Sequence, residues 1–213
     1  EGEDLTVVMG VNEDKYDPER HQVVSNASCT TNALAVVAKV LDDEFGIATA
    51  FLTTAHGYTA SQSLVDSPSK KWRRGRAAAL SIVPSTTGAA VATSYVLPQL
   101  EGKMDGLALR VPVADGSIID LVAQTKRPVT VDSVNQALRR ASESDRMKAF
   151  LGYSDEELVS ADIIGSEYSA IVDAGSTMVI GDHTVKVLAW YDNEWGYARR
   201  VADITATIAQ RQG

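Results

Sequence analysis

Chemistry in this chain would start at "SNASCTTN", Ser25 to Asn32, which holds Cys29, the single cysteine. A helical pattern begins directly behind it. A thiol at a helix start meets the positive end of the helix dipole and free backbone N–H groups, and both favour thiolate. The stretch therefore predicts a lowered Cys29 pKa. Ser28, Thr30 and Thr31 add hydroxyls beside the same helix start, and such a group of donors can hold an anion. The plainer alternative is a buried structural cysteine acting as a small hydrophobe. Covalent chemistry also needs a base. Of the three histidines, His183 falls in the turn "GDH" and His21 follows Pro18, Glu19 and Arg20, so both read as surface residues. His56 ends an apolar strand and opens a long loop, a place where catalytic side chains concentrate. Cys29 and His56 are the candidate nucleophile and base, although a strand-end histidine is often only a hydrogen-bonded surface group.

These residues need elements to hold them. "LTVVMGVN" and "QVVSNAS" read as short strands. Leu34, Val37, Leu41 and Phe45 recur at helical spacing, giving one apolar stripe that stops at Gly46. "IATAFLTTA" reads as a strand delivering His56. From His56 to Arg76 periodicity fails, which predicts a long loop, and long loops in compact domains tend to be functional. "PSTTG" reads as a turn before a second helix. "MDGLALRVPV" and "GSIIDLVAQTKRPV" are strands joined through "ADG". Thr130 caps an amphipathic helix carrying Val134, Leu138 and Ala141. "YSAIVDA", "STMVI" and "TVKVLAWYDN" are strands, and "WGYARRVADITATIAQ" is a last helix. Strands come in runs, so the expected class is α+β, with a mixed or antiparallel sheet and helices packed on one face.

The chain has 213 residues, 20 basic and 28 acidic, for a formal charge of −8. That length buries about 70% of the unfolded surface without staples. A lone cysteine makes no internal disulfide, which fits a reducing, cytoplasmic setting. No apolar run reaches the ~18 residues of a membrane span, and no secretory leader is visible. Net negative charge argues against non-specific nucleic-acid binding, with local basic clusters left open. No metal site is expected.

Taken in order, "SNASCTTN", "TAHGYT", "RRGRAAALSIVPSTTGAA", "LRVPVADGS" and "WYDNEWGY" resemble the catalytic part of the phosphorylating glyceraldehyde-3-phosphate dehydrogenase family. The resemblance covers nearly the whole chain. It implies that Cys29 attacks the aldehyde carbon of glyceraldehyde 3-phosphate. His56 would take the proton and assist hydride transfer to NAD, with NADP left open. Inorganic phosphate would then attack the thioester, releasing 1,3-bisphosphoglycerate. It also implies that Thr59 and Arg110 bind the substrate phosphate and that Ser28, Thr30, Thr87 and Gly88 form the inorganic-phosphate site. Asn193 would hold the nicotinamide carboxamide, with Tyr197 nearby. Arg110 suits its role, since its planar fork matches phosphate oxygens; the alternative is a surface or salt-bridged arginine.

The loop from Gly57 to about Ser81 corresponds to the family's S-shaped loop at the homotetramer interface. Lys70, Lys71, Arg73, Arg74 and Arg76 make it basic, and Pro68 stands where NAD-using members carry proline. Against the resemblance, no GxGxxG fingerprint occurs. The expectation is a catalytic-domain portion: residues 1–28 as the end of a dinucleotide-binding domain, 29–196 as the catalytic domain and 197–213 as a helix that would pack on the missing part. Such a portion alone is expected not to turn over as a dehydrogenase. Val201, Ile204 and Ile208 would then form an exposed stripe. Ala33 stands where many members have a second cysteine. Rival readings are erythrose-4-phosphate dehydrogenase, which the threonine of "HGYT" disfavours, a Cys–His hydrolase, and a non-catalytic interaction module.

Overall fold

The computed structural model describes residues 2–212; Glu1 and Gly213, the outer ends of the first and last expected segments, lie outside the described residues. Leu5–Thr6 (β1) and Val24–Ser25 (β2) form a small parallel pair. The main sheet holds Ile47–Gly57 (β3), Val83–Thr86 (β4), Met104–Val111 (β5), Ser117–Thr125 (β6), Leu151–Ser154 (β7), Ala170–Ile180 (β8) and Thr184–Tyr191 (β9). Their order is β4-β5-β3-β6-β9-β8-β7, with β3–β5 and β7–β8 parallel and the other pairs antiparallel. The helices are Cys29–Phe45 (α1), Ala89–Val96 (α2), Val131–Glu143 (α3) and Trp195–Gln212 (α4). α1, α2 and α3 lie on one face of the sheet, as the mixed α+β reading expects.

α1 is central. It packs against α2, α3 and four of the strands, so it is buried on nearly every side, including Ala35, Val36, Ala38 and Val40. The single stripe read from the sequence is thus too narrow. Small residues all round are what a helix between a sheet and two other helices requires. α3 follows its reading: Thr130 accepts from the Ser133 N–H, Ser133 bonds back, and Val134 and Leu138 face the core.

Several elements differ from expectation. "LTVVMGVN" pairs over only two residues, because Asn12 folds back: its side chain accepts from the Val8 N–H and donates to the Thr6 carbonyl. Pro84 lies in edge strand β4 rather than a turn, where its missing N–H does not break a ladder. β5 and β6 are joined in sequence but not paired, since β3 lies between them. "YSAIVDA" and "STMVI" are one strand, β8, with a bulge between Asp173 and Met178. On α4, Ile204 is buried against Val7 and Met9 and Ile208 packs beside it, leaving Val201 exposed; the expected exposed stripe is therefore mostly covered.

Strand alternation gives the sheet two different faces. Ala50, Leu52, Thr54 and His56 of β3 point toward the helices. The opposite face is open and carries exposed apolar side chains around the Asp120–Lys186 ion pair: Phe51 is 70% exposed, and Leu107, Met178 and Ile180 are exposed with it.

Candidate active site

β3 ends by pointing His56 inward, where it is only 4% exposed. The parallel register sets Arg110 of β5 directly beside it. α1 begins beneath this corner, and Ser28 caps it by accepting from the Thr31 N–H at 3.0 Å. Just before the cap, Ala27 has φ of 55°, a left-handed backbone that a residue with a Cβ holds only under restraint. Tyr197 supplies restraint by donating its hydroxyl to the Ala27 carbonyl at 3.0 Å. This kink turns the first residue of the helix into the site.

Cys29 Sγ lies 3.4 Å from His56 Nε2. On the far side of the ring, Nδ1 is 2.7 Å from the Gly57 carbonyl and 2.7 Å from Arg110 Nη1. Tyr191 meets the imidazole edge-on, with ring centroids 5.8 Å apart. Its hydroxyl, 1% exposed as a residue, lies 2.8 Å from both the Thr30 and Thr54 hydroxyls. Asn193 accepts from the Ser117 hydroxyl at 2.6 Å, and Ser117 in turn accepts from the Gly57 N–H. Sequence reasoning missed Tyr191, Thr54 and Ser117. Tyr191 lies within "WYDNEWGY", and Thr54 is flagged only by strand alternation, as a hydroxyl on an otherwise apolar inward face.

Electrostatics correct one expectation. Burial pushes the Cys29 thiol up, outweighing the Thr30 contacts and the Arg110 charge that pull it down. The helix-start argument counts charges and N–H groups but not how much water the packed helix excludes. His56 moves the other way, down to about 4, first through burial and then through Arg110. Thiol and imidazole therefore stand together as a neutral pair. Arg110 is itself held down by burial and by the charge of Arg74. It makes no ion pair among the described residues, and its Nε is buried without a partner. The salt-bridged alternative for Arg110 does not hold. Arg74 reaches Ser85 Oγ at 2.9 Å and Ser61 Oγ at 3.2 Å, and Ser61 meets the Thr59 hydroxyl at 2.9 Å. Two cations with little nearby acid make a corner suited to an anion.

The other expected residues are placed as follows. Thr30 joins the Tyr191 network, and Ser28 is spent on its cap, with its own hydroxyl also 2.7 Å from Thr31. Thr87 and Gly88 precede α2, where Thr87 Oγ1 accepts from the Ala89 N–H; no hydrogen bond joins them to Cys29 or His56. Among the basic loop residues, Arg76 pairs with Asp66 at 3.2 Å, while Lys70, Lys71 and Arg73 are exposed.

Residues 28–193 match the family model described as glyceraldehyde 3-phosphate dehydrogenase, C-terminal domain. The chain belongs to this family. Matches to the glyceraldehyde 3-phosphate dehydrogenase C-terminal domain thus take in Cys29, His56, Arg110, Tyr191 and Asn193, and stop short of Tyr197. Among curated relatives, the chain is 56% identical over 209 residues to glyceraldehyde-3-phosphate dehydrogenase of Geobacillus stearothermophilus. It is 56% identical to glyceraldehyde-3-phosphate dehydrogenase 2 of Bacillus subtilis and 53% identical to that of Streptomyces avermitilis. Each match covers 98% of this chain; it covers 62% of the Geobacillus and Streptomyces relatives and 61% of the Bacillus one. The chain therefore spans about three fifths of the length of these relatives.

Proposed function

We propose that this chain carries the thiol, base and anion-binding groups of a phosphorylating glyceraldehyde-3-phosphate dehydrogenase. The observation that carries the reading is the Cys29–His56 contact at 3.4 Å beside an arginine with no acidic partner. His56 Nε2 takes the Cys29 proton when the ring carries its own hydrogen on Nδ1, bonded to the Gly57 carbonyl. The sulfur then adds to the aldehyde carbon of glyceraldehyde 3-phosphate. Arg110, with Thr59 and Arg74, holds phosphate, and Ser28, Thr30, Thr87 and Gly88 line the approach of a second, attacking phosphate. Cys29 keeps the oxidised carbon as a thioester until a phosphate oxygen attacks it, and the thiolate leaves with an acyl phosphate formed. His56 is buried and Cys29 half-buried, which disfavours water as the competing nucleophile.

A nicotinamide dinucleotide, NAD by the Pro68 position, supplies the hydride acceptor when bound. Asn193 fits its carboxamide. Ser117 fixes the Asn193 Oδ1 at 2.6 Å, whereas Nδ2 has only a 3.4 Å contact to Glu194 and can donate to a carbonyl. Tyr197 stands at the same corner. The open sheet face supports assembly with further copies, a homotetramer in the family. No helix among the described residues is long and apolar enough to cross a membrane, and we assign the reaction to the cytoplasm.

Acetyl phosphate tests the thiol and phosphate chemistry without a dinucleotide. It should acylate Cys29, adding one acetyl group by intact mass and none in Cys29→Ser. Inorganic phosphate should then discharge the acyl group faster than buffer does. No adduct would refute the reading, and discharge by water indifferent to phosphate would favour a Cys–His hydrolase.

A further inference from the structure

The chain holds two Asp–Gly steps, Asp105–Gly106 and Asp115–Gly116. At both, the glycine N–H donates to Oδ1 of the aspartate before it, at 2.7 Å and 2.8 Å. A main-chain nitrogen that close to a carboxyl can attack its carbon, and glycine brings no side chain to obstruct the approach. Two further conditions decide whether it does. The carboxyl has to be uncharged, so that its hydroxyl leaves as water, and the main chain at the aspartate has to turn to close a ring. Asp105 fails the second: it lies exposed in β5 with its backbone paired to Phe51 of β3. Asp115 meets both. It sits in the bend between β5 and β6, outside either strand. Its half-buried carboxyl is pushed up, first by burial, with Asp192 and Glu194 adding to the rise and the Gly116 N–H opposing it.

We propose that Asp115 is a site of spontaneous isomerisation to isoaspartate, and that the change releases Ser117 from Asn193 and Gly57. The Gly116 nitrogen gives its proton to solvent and bonds to Asp115 Cγ, and the carboxyl hydroxyl leaves as water. The succinimide so formed then takes up one water. Addition at the Asp115 main-chain carbonyl carbon breaks its bond to the Gly116 nitrogen and leaves the main chain running through Cγ, one methylene longer. Addition at Cγ restores aspartate. Nothing is oxidised or reduced, and the water lost is regained. The loop has no slack for the methylene. On one side of Asp115, the Tyr58 N–H holds the Val113 carbonyl at 2.9 Å. On the other, Gly116 has φ of 91° and lies so close to Ser160 that a Cβ would run into its carbonyl. Clamped on both sides, the loop passes the extra length on to Ser117. That residue donates to Asn193 Oδ1 at 2.6 Å and accepts from the Gly57 N–H at 3.0 Å, and both bonds are lost.

Ageing the chain for weeks in oxygen-18 water at neutral pH tests this, because each succinimide that opens leaves one heavy oxygen at its aspartate. Peptide mass spectrometry with electron-transfer fragmentation places the label and separates isoaspartate from aspartate. In the folded chain, label and isoaspartate should accumulate several-fold faster at Asp115 than at Asp105. In urea the two rates should converge, since the strand no longer restrains Asp105. Asp115→Glu, whose longer side chain closes a ring far more slowly, should carry no label at that position. Equal rates in the folded chain, or a preference for Asp115 that persists in urea, overturns the proposal. In the isoaspartyl fraction, isolated by ion exchange, amide hydrogen exchange at Gly57 should quicken several-fold against the unmodified fraction. Unchanged exchange at Gly57 overturns the release of Ser117.

Discussion

Lowering the pH should unfold this chain through His56. The folded imidazole refuses a proton down to about 4, against 6.5 ordinarily, because it is buried and then because Arg110 faces it. An unfolded chain takes up that proton near 6.5. Between the two values the unfolded form binds more protons, so stability is fully present above 6.5 and falls as pH drops toward 4. The gap of roughly 2.5 pH units, at about 1.4 kcal/mol each, is worth about 3 kcal/mol. Asp115, raised by burial, works in the opposite sense by gaining stability as pH falls. A difference measurement removes it. Urea unfolding would be followed from about pH 4.5 to about pH 8 for the chain and for His56→Gln. The lost contact to Cys29 adds a constant offset. The difference between the two curves should change by most of that ~3 kcal/mol as pH falls. Parallel curves would mean that His56 titrates normally in the folded chain and that the site is open to water.

Three further perturbations test other parts of the structure. Tyr191→Phe strips the hydroxyl shared by Thr30 and Thr54 and should cost about 1–3 kcal/mol in urea unfolding; a cost near zero would mean that the two threonines are satisfied without it. Gly106→Ala would drive a Cβ into the Leu52 carbonyl and to 2.8 Å from the Leu52 Cβ. Since backbone has to move, destabilisation of about 2 kcal/mol or more is expected, and unchanged stability would contradict the close approach of β3 and β5. Phe51→Lys charges the open sheet face without touching the core; sedimentation should show weaker self-association with an unchanged circular dichroism spectrum, and undiminished association would remove this face from the assembly.

Much of this architecture is readable in the sequence where an element is half-buried and long. β3, β6 and β9 alternate cleanly because one face meets helices and the other does not, and Thr130 announces α3 through its cap. Four-residue β7 carries too little pattern to be seen, and Pro84 reads as a turn because only the tertiary order reveals that its strand is an edge. Cys29, His56 and Arg110 stand out by residue type, place or motif, and the structure gathers them within contact. The thiol pKa is not readable, because it depends on what α1 is packed against rather than on where α1 begins. Nor are the partners of Tyr191, which come from α1 and β3, far away in the chain.

The strand order β4-β5-β3 also governs when the site comes into being. β4 precedes β5 in the chain yet ends up outside it, so β5 must slot between two strands already synthesised. Cys29 and His56 close a chain separation of 27 residues, whereas His56 and Arg110 close one of 54. Non-local pairings of this kind form late and slowly. In a chain emerging from its N-terminus, thiol and imidazole can meet before the arginine strand has entered its gap. The arginine thus arrives after the base itself, and insertion of β5 closes the β4-β5-β3 edge of the sheet and brings Arg110 against His56.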